Sequence, residues 1–174
     1  TLVENGAKFI QVDEPALPTH EDEVEWAIEA VNEAVKGINV KVAVHICYGD
    51  YSRVLRYADR LKVDQLALEF ANRNFEPLKL FKEYKYDLEL GFGVVDVHTN
   101  KVETPDMVAK AIRKAMEVIP PERLFINPDC GLKLRPRRIA FEKLKVMVEG
   151  TKIVREELKK KGLTTTSLKP LINR

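Results

Sequence analysis

The chain has 174 residues, 45% hydrophobic and 32% charged, the size and composition of one compact domain that buries a core, so a disordered polymer is excluded. Against 27 Asp and Glu stand 29 Lys and Arg, a net charge of +2, which gives no long-range field to argue for a nucleic-acid or membrane partner. No apolar run approaches the length of a membrane span and no leader pattern opens the chain, so a cytoplasmic protein is expected. Two cysteines, Cys47 and Cys130, exclude a disulfide framework and leave one bridge, two buried thiols or metal ligands.

The opening residues 1–8 read as the end of a helix running into a strand, which predicts a further segment upstream. A short β-rich run, Phe9 to Asp13, follows, and then a helical stretch from Val24 to Val35 that sets Trp26, Ala27, Ala30, Val31 and Ala34 on one side. Trp26 is expected to pack there, and His20 to lie on the surface at the helix start. The second strand is Lys41 to His45, with a helix from Ser52 to Leu61 capped by Ser52. Gln65 to Glu69 is the third, followed by a short helical segment, Glu76 to Lys82, with Pro77 in its first turn. Leu88 to Val94 is the fourth strand, and its Gly91 and Gly93 read as close backbone packing, since Gly-x-Gly without a third glycine is a poor phosphate loop. Thr104-Pro105-Asp106 starts a helix through Met116, because Thr caps and Pro fits the first turn. Leu124 to Asn127 is the fifth strand, and the last helix runs from about Arg138 to Lys161 and stops at Gly162, leaving residues 163–174 as a tail. The basic segment Lys133 to Arg138 reads as a solvated loop, with a carboxylate-rich ligand tail as its alternative use.

Alternating strands and helices predict an α/β fold with a parallel sheet. A closed (β/α)₈ barrel takes about 250 residues and eight units. Residues 1–162 supply five, so the expectation is about the last five βα units of such a barrel, with a short open sheet as the simpler alternative.

In parallel α/β folds the reactive groups gather where strands end, because the βα loops converge there. Asp13-Glu14-Pro15, His45-Ile46-Cys47, Glu69, Asp96-Val97-His98 and Asn127-Pro128-Asp129-Cys130 all lie at such ends. His45 and Cys47, two residues apart, can point to the same side of a strand and form half a metal site. Zn²⁺ accepts imidazole nitrogen, thiolate sulfur and carboxylate oxygen, and Glu69 and Cys130 would complete the shell. On pattern alone, buried structural Cys and His remain open beside this reading.

The segments Ile10 to Leu17, His45-Ile46-Cys47-Tyr48, Asp96-Val97-His98 and Asn127 to Lys133 closely resemble cobalamin-independent methionine synthases, in order and over nearly the whole chain. The steps from His45 to Glu69, His98 and Cys130 fit that family's pattern without a shift. The resemblance implies zinc-dependent methyl transfer to the thiol of L-homocysteine, giving L-methionine, on the carboxyl face of a (β/α)₈ barrel. It maps the zinc ligands onto His45, Cys47, Glu69 and Cys130, the homocysteine-binding acid onto Asp13, and the proton-donating histidine onto His98. Asp96 and Asp129 are expected to orient ring nitrogens or ligands. Zn²⁺ would hold a thiol as thiolate, and Glu69 is the ligand expected to give way to the substrate sulfur.

Three departures accompany the resemblance. The long amino-terminal domain of the bacterial and plant enzymes is not seen, as in shorter archaeal members, and the barrel strands before Ile10 are missing, so that segment or a second chain is an expected partner. Pro18 and Thr19 stand where the family contacts folate, so the donor is expected to be a methyltetrahydrofolate-type molecule or a methylcorrinoid protein or other carrier. Two alternatives are a related zinc thiol methyltransferase of the uroporphyrinogen-decarboxylase-like group and an inactive zinc-binding partial barrel.

Overall fold

A computed structural model describes residues 1–163; of the expected tail, residues 164–174 lie outside the described residues. The five expected runs form strands: β1 Phe9–Asp13, β2 Lys41–Ile46, β3 Gln65–Leu68, β4 Glu89–Gly93 and β5 Leu124–Asn127. They pair in consecutive order, each neighbour parallel. A doubly wound sheet reverses its strand order part-way, whereas consecutive order is that of a barrel wall. The fold is a five-stranded, barrel-type α/β sheet.

Alternation sorts the side chains onto two faces. Val42, Val44, Ile46, Leu66, Leu68, Leu90 and Phe92 turn toward the helices and are buried in the core. The opposite face carries Lys41, Ala43 and His45 from β2, Gln65 and Ala67 from β3, and Glu89, Gly91 and Gly93 from β4, a polar and small-residue lining. Register sets Asp13 beside His45, and His45 beside Ala67. On the edge strand β1, the same face leaves Phe9, Gln11 and Asp13 exposed. At the strand starts, a buried Lys41–Glu89 ion pair is joined by Gln65 Nε2, 3.4 Å from Glu89 Oε2.

The helices are α1 Val24–Ala34, α2 Tyr51–Leu55, α3 Leu80–Glu83, α4 Pro105–Ala115 and α5 Arg137–Lys160. Thr104 caps α4 through the Met107 amide, with Pro105 in the first turn as expected. At the end of α5 the Leu163 and Gly162 amides donate to Leu158 and Lys159 carbonyls, and Gly162 takes φ 75°, the expected glycine stop. Residues 1–7 close with the same signature, Ala7 to Leu2 and Gly6 to Val3 with Gly6 at φ 91°. Helices α4 and α5 touch at Gly150, where a Cβ would stand 2.6 Å from the Pro105 carbonyl oxygen. Among the described residues, no helix is long and apolar enough to cross a membrane.

Two local expectations are corrected. Helix α1 buries Val24, Ile28 and Val31, while Trp26 is 68% exposed. The helix has two apolar faces, and the one bearing larger β-branched side chains fills the core; Trp26, Ala27, Ala30 and Ala34 line an open groove beside Val12 and Leu17. The helix expected from Ser52 to Leu61 is instead α2, started by Asp50, whose carboxylate accepts from the Ser52 amide, and then a separate single turn at Ala58–Arg60. Asp at the cap position outcompetes a serine two residues on because its carboxylate reaches the free amide first in the chain.

Candidate metal centre

The strand ends carry the site. His45, at the end of β2, is held by its ring: Nδ1 lies 3.0 Å from the Ala67 carbonyl oxygen. A carbonyl can only accept, so Nδ1 donates, and in the neutral ring Nε2 keeps a free lone pair. That lone pair faces Cys130 Sγ at 3.4 Å. Cys47 follows two residues later, and Cys130 comes from the loop after β5. The ligand atoms of His45, Cys47 and Cys130 all lie within 4.8 Å of one another. Both cysteines are free thiols.

Glu69 stands next to this trio and is fully buried. Its Oε2 accepts from the Tyr48 amide at 3.3 Å and from Asn72 Nδ2 at 3.1 Å. Its Oε1 is buried without a hydrogen-bond partner and faces His98 Nε2 at 3.6 Å. Burial, then the neighbouring Cys130, then Glu69 push the Cys47 thiol up to about 11. Left to itself, the Cys47 thiol resists ionisation because its anion would sit in a poorly solvated place beside other potential anions.

That observation tests whether a cation suits the cluster. One free imidazole nitrogen, two thiols and one orphaned carboxylate oxygen are donors without a shared proton source, and a divalent cation would satisfy all of them. The set of one nitrogen, two sulfurs and one oxygen suits Zn²⁺ better than a hard cation. Glu69 stands beside the trio of His45, Cys47 and Cys130, whose ligand atoms lie within 4.8 Å of one another.

Asp129, beside Cys130, is one of the two acids expected to orient ring nitrogens or ligands. Its Oδ1 accepts from the Phe70 and Ala71 amides, both at 2.9 Å, and its Oδ2 from the Asn72 amide at 2.8 Å. The carboxylate therefore orients backbone and ties the Glu69 loop to the Cys130 loop. Burial lifts it to about 6 against the pull of those three amides. Gly93 leaves room for it, since a Cβ there would overlap Asp129 Oδ1 and stand 2.9 Å from the Leu68 carbonyl oxygen. The glycine pair packs closely, as expected; Gly91 likewise abuts Asn127 and Ala67.

His98 lies at the rim, 39% exposed, with its ring 5.7 Å from that of Tyr48. Asp96 Oδ1 accepts from the His98 amide at 2.8 Å, so it too fixes backbone. Tyr48 adopts φ 62°, a left-handed conformation, and in it the amide reaches Glu69 while the ring reaches His98. Asp13 is exposed, accepts from Gln11 Nε2 at 2.9 Å, and shares a row with His45. Asn72 and Tyr48 were not foreseen; the turn chemistry of Ala71-Asn72-Arg73 carries no sign that Asn72 would meet a carboxylate three residues back.

The family model for the catalytic domain of cobalamin-independent synthases matches residues 1–153. The chain is 62% identical over 173 residues to a methionine synthase of Sulfurisphaera tokodaii, covering 99% of this chain and 51% of that protein. It is 58% identical over 173 residues to a methionine synthase of Sulfolobus acidocaldarius, covering 99% and 50%. The chain thus spans about half the length of the curated relatives it matches. A solved B12-independent methionine synthase from Shewanella sp. W3-18-1, in complex with selenomethionine, superposes with a TM-score of 0.85 at 29% identity over 91% of this chain and 52% of that one. A second, described as a putative vitamin-B12 independent methionine synthase from Listeria monocytogenes, gives 0.62 at 22% identity over 87% and 50% and shares the fold.

Proposed function

The chain belongs to the family of cobalamin-independent synthase catalytic domains, and from that premise we propose that it forms the zinc-holding part of an enzyme that methylates the thiol of L-homocysteine to give L-methionine. The observation that carries the proposal is the trio of His45, Cys47 and Cys130, with ligand atoms within 4.8 Å, beside the orphaned Oε1 of Glu69. The naming of the archaeal relatives as methionine synthases, and the selenomethionine bound by the Shewanella protein, support the same product class.

His45, Cys47, Cys130 and Glu69 would hold the zinc, which when bound supplies a Lewis acid that keeps the substrate thiol in its nucleophilic thiolate form at neutral pH. Asp13, on the same row as His45, would take the substrate ammonium in a charge-assisted hydrogen bond. Its exposure leaves it accessible to a small amino acid. Two anchors, the Asn72 side-chain amide and the Tyr48 backbone amide, keep one oxygen of Glu69 fixed and leave the other toward the site.

The reaction forms a carbon–sulfur bond and breaks the bond between the methyl carbon and its carrier. With a methylated folate, the carrier nitrogen leaves with an electron pair and requires a proton, which His98 at the rim would deliver. With a methylcorrinoid carrier no nitrogen departs and no proton is required. His98 therefore discriminates between donors. The exposed inner face of β1 is where the remaining part of a barrel would close, and such a segment is the partner this reading requires.

The test is transfer of labelled methyl to homocysteine by the intact protein, with folate and corrinoid donors offered side by side, repeated with His45→Ala and His98→Asn. Transfer abolished by His45→Ala supports the reading. Bound zinc with no transfer from either donor contradicts the activity and leaves a metal-binding partial barrel.

A further inference from the structure

Lys143, in the second turn of α5, is a buried lysine at 0% exposure. Its three ammonium protons meet three acceptors: the Lys101 carbonyl oxygen, Glu103 Oε1 at 3.1 Å and Glu103 Oε2 at 2.9 Å. All three lie in the loop between β4 and α4, the loop that carries His98. Glu103 Oε1 also accepts from the Asp96 amide at 2.9 Å, and Asp96 Oδ1 accepts from the His98 amide at 2.8 Å. An unbroken run of charge-assisted bonds therefore leads from a helix behind the sheet to the backbone of His98.

A second arm reaches the same loop. Arg135, between Cys130 and α5, places Nη1 3.0 Å from Asn100 Oδ1 and 3.5 Å from the His98 carbonyl oxygen. Both arms come from the segment following β5, the strand whose loop holds Cys130. The metal-side loop and the His98 loop are thus braced by one piece of chain.

Burying an ammonium and a carboxylate is a poor way to gain stability, since an apolar pair of similar size often serves as well. What the pair provides that an apolar one cannot is direction: a fixed acceptor for the Asp96 amide and a fixed distance from α5 to residues 101–103. We infer that Lys143 and Glu103 are positioning residues that hold the His98 loop, and with it the His98 imidazole, at its place beside Glu69. The inference rests on the role proposed for His98 above, while its structural half stands without it.

The experiment uses the intact zinc-loaded protein with Lys143→Met and with the double change Lys143→Met/Glu103→Leu, which leaves no unpaired buried charge and so guards against simple misfolding. Amide hydrogen exchange at Asp96 and His98 is read first, and in both variants it should accelerate at least about tenfold, with zinc content unchanged. With a methylated folate as donor, the kcat for methyl transfer should fall about 10- to 100-fold while KM for homocysteine holds, because a small displacement of a reacting group costs rate rather than binding. On a His98→Asn background the same changes should produce no further loss of kcat. Unchanged exchange at both amides overturns the inference, as does an equal loss of kcat with and without His98. If the unmutated protein transfers no methyl group, the proposed function has failed, and exchange at Asp96 and His98 alone decides for or against the brace.

Discussion

Gly93 and Asp129 share one volume: the side chain that Gly93 lacks would occupy the place of the Asp129 carboxylate, which in turn holds the amides of residues 70, 71 and 72. The glycine on β4 is what allows the loops of Glu69 and Cys130 to be tied together. Gly93→Ala should displace that carboxylate and cost about 2 kcal/mol or more of stability, an overpacking loss joined by broken hydrogen bonds. Denaturant unfolding and zinc titration should report lower stability and weaker metal binding together. Lower stability with unchanged metal affinity would separate the two loops.

The same carboxylate gives the chain a pH signature. Asp129 sits at about 6 in the fold against an ordinary 3.8, so the folded state holds its proton to higher pH than the unfolded state does. Its contribution is fully present below about pH 4 and is lost as pH rises through about 6, a change of about 3 kcal/mol. Unfolding of chelator-treated protein between pH 4 and 7 measures this. Asp129→Asn should remove the slope. It should also lower stability at pH 5 by about 1–3 kcal/mol, since an amide nitrogen would then face the Asn72 amide.

At the far end of the strands, Lys41 pairs with Glu89 in full burial and lies 4.8 Å from the centre of the Phe125 ring. Lys41→Met strands a buried carboxylate and should cost about 3–5 kcal/mol, whereas Lys41→Met/Glu89→Leu should recover most of it. Lys41 begins β2 and His45 lies near its end, so zinc stoichiometry should not change in whichever variant folds. Calorimetry with metal analysis checks both halves.

The strands and their order of appearance were legible because each is a short β-rich run separated from the next by a helical or turn-rich stretch, and because a parallel sheet displays its reactive residues where strands stop. His45 and Cys47 announced themselves by spacing at a strand end, and Thr104-Pro105 and Gly162 by local capping chemistry. Trp26 illustrates what could not be read: α1 has two apolar faces, and only the packed sheet decides which is covered. Asn72, Glu103 and Lys143 act through contacts made by distant parts of the chain. Lys143 in particular is an ordinary helical lysine in sequence, and its burial depends on where the loop of residues 101–103 falls.

The account depends on a metal shared between β2 and β5. X-ray absorption at the zinc edge, on intact protein loaded with zinc, measures this most directly. The account predicts about one zinc per chain with two sulfur neighbours plus nitrogen and oxygen, reduced to one sulfur or lost in Cys130→Ser. A zinc without sulfur neighbours, or zinc uptake that is unchanged when both cysteines are replaced by serine, would contradict it.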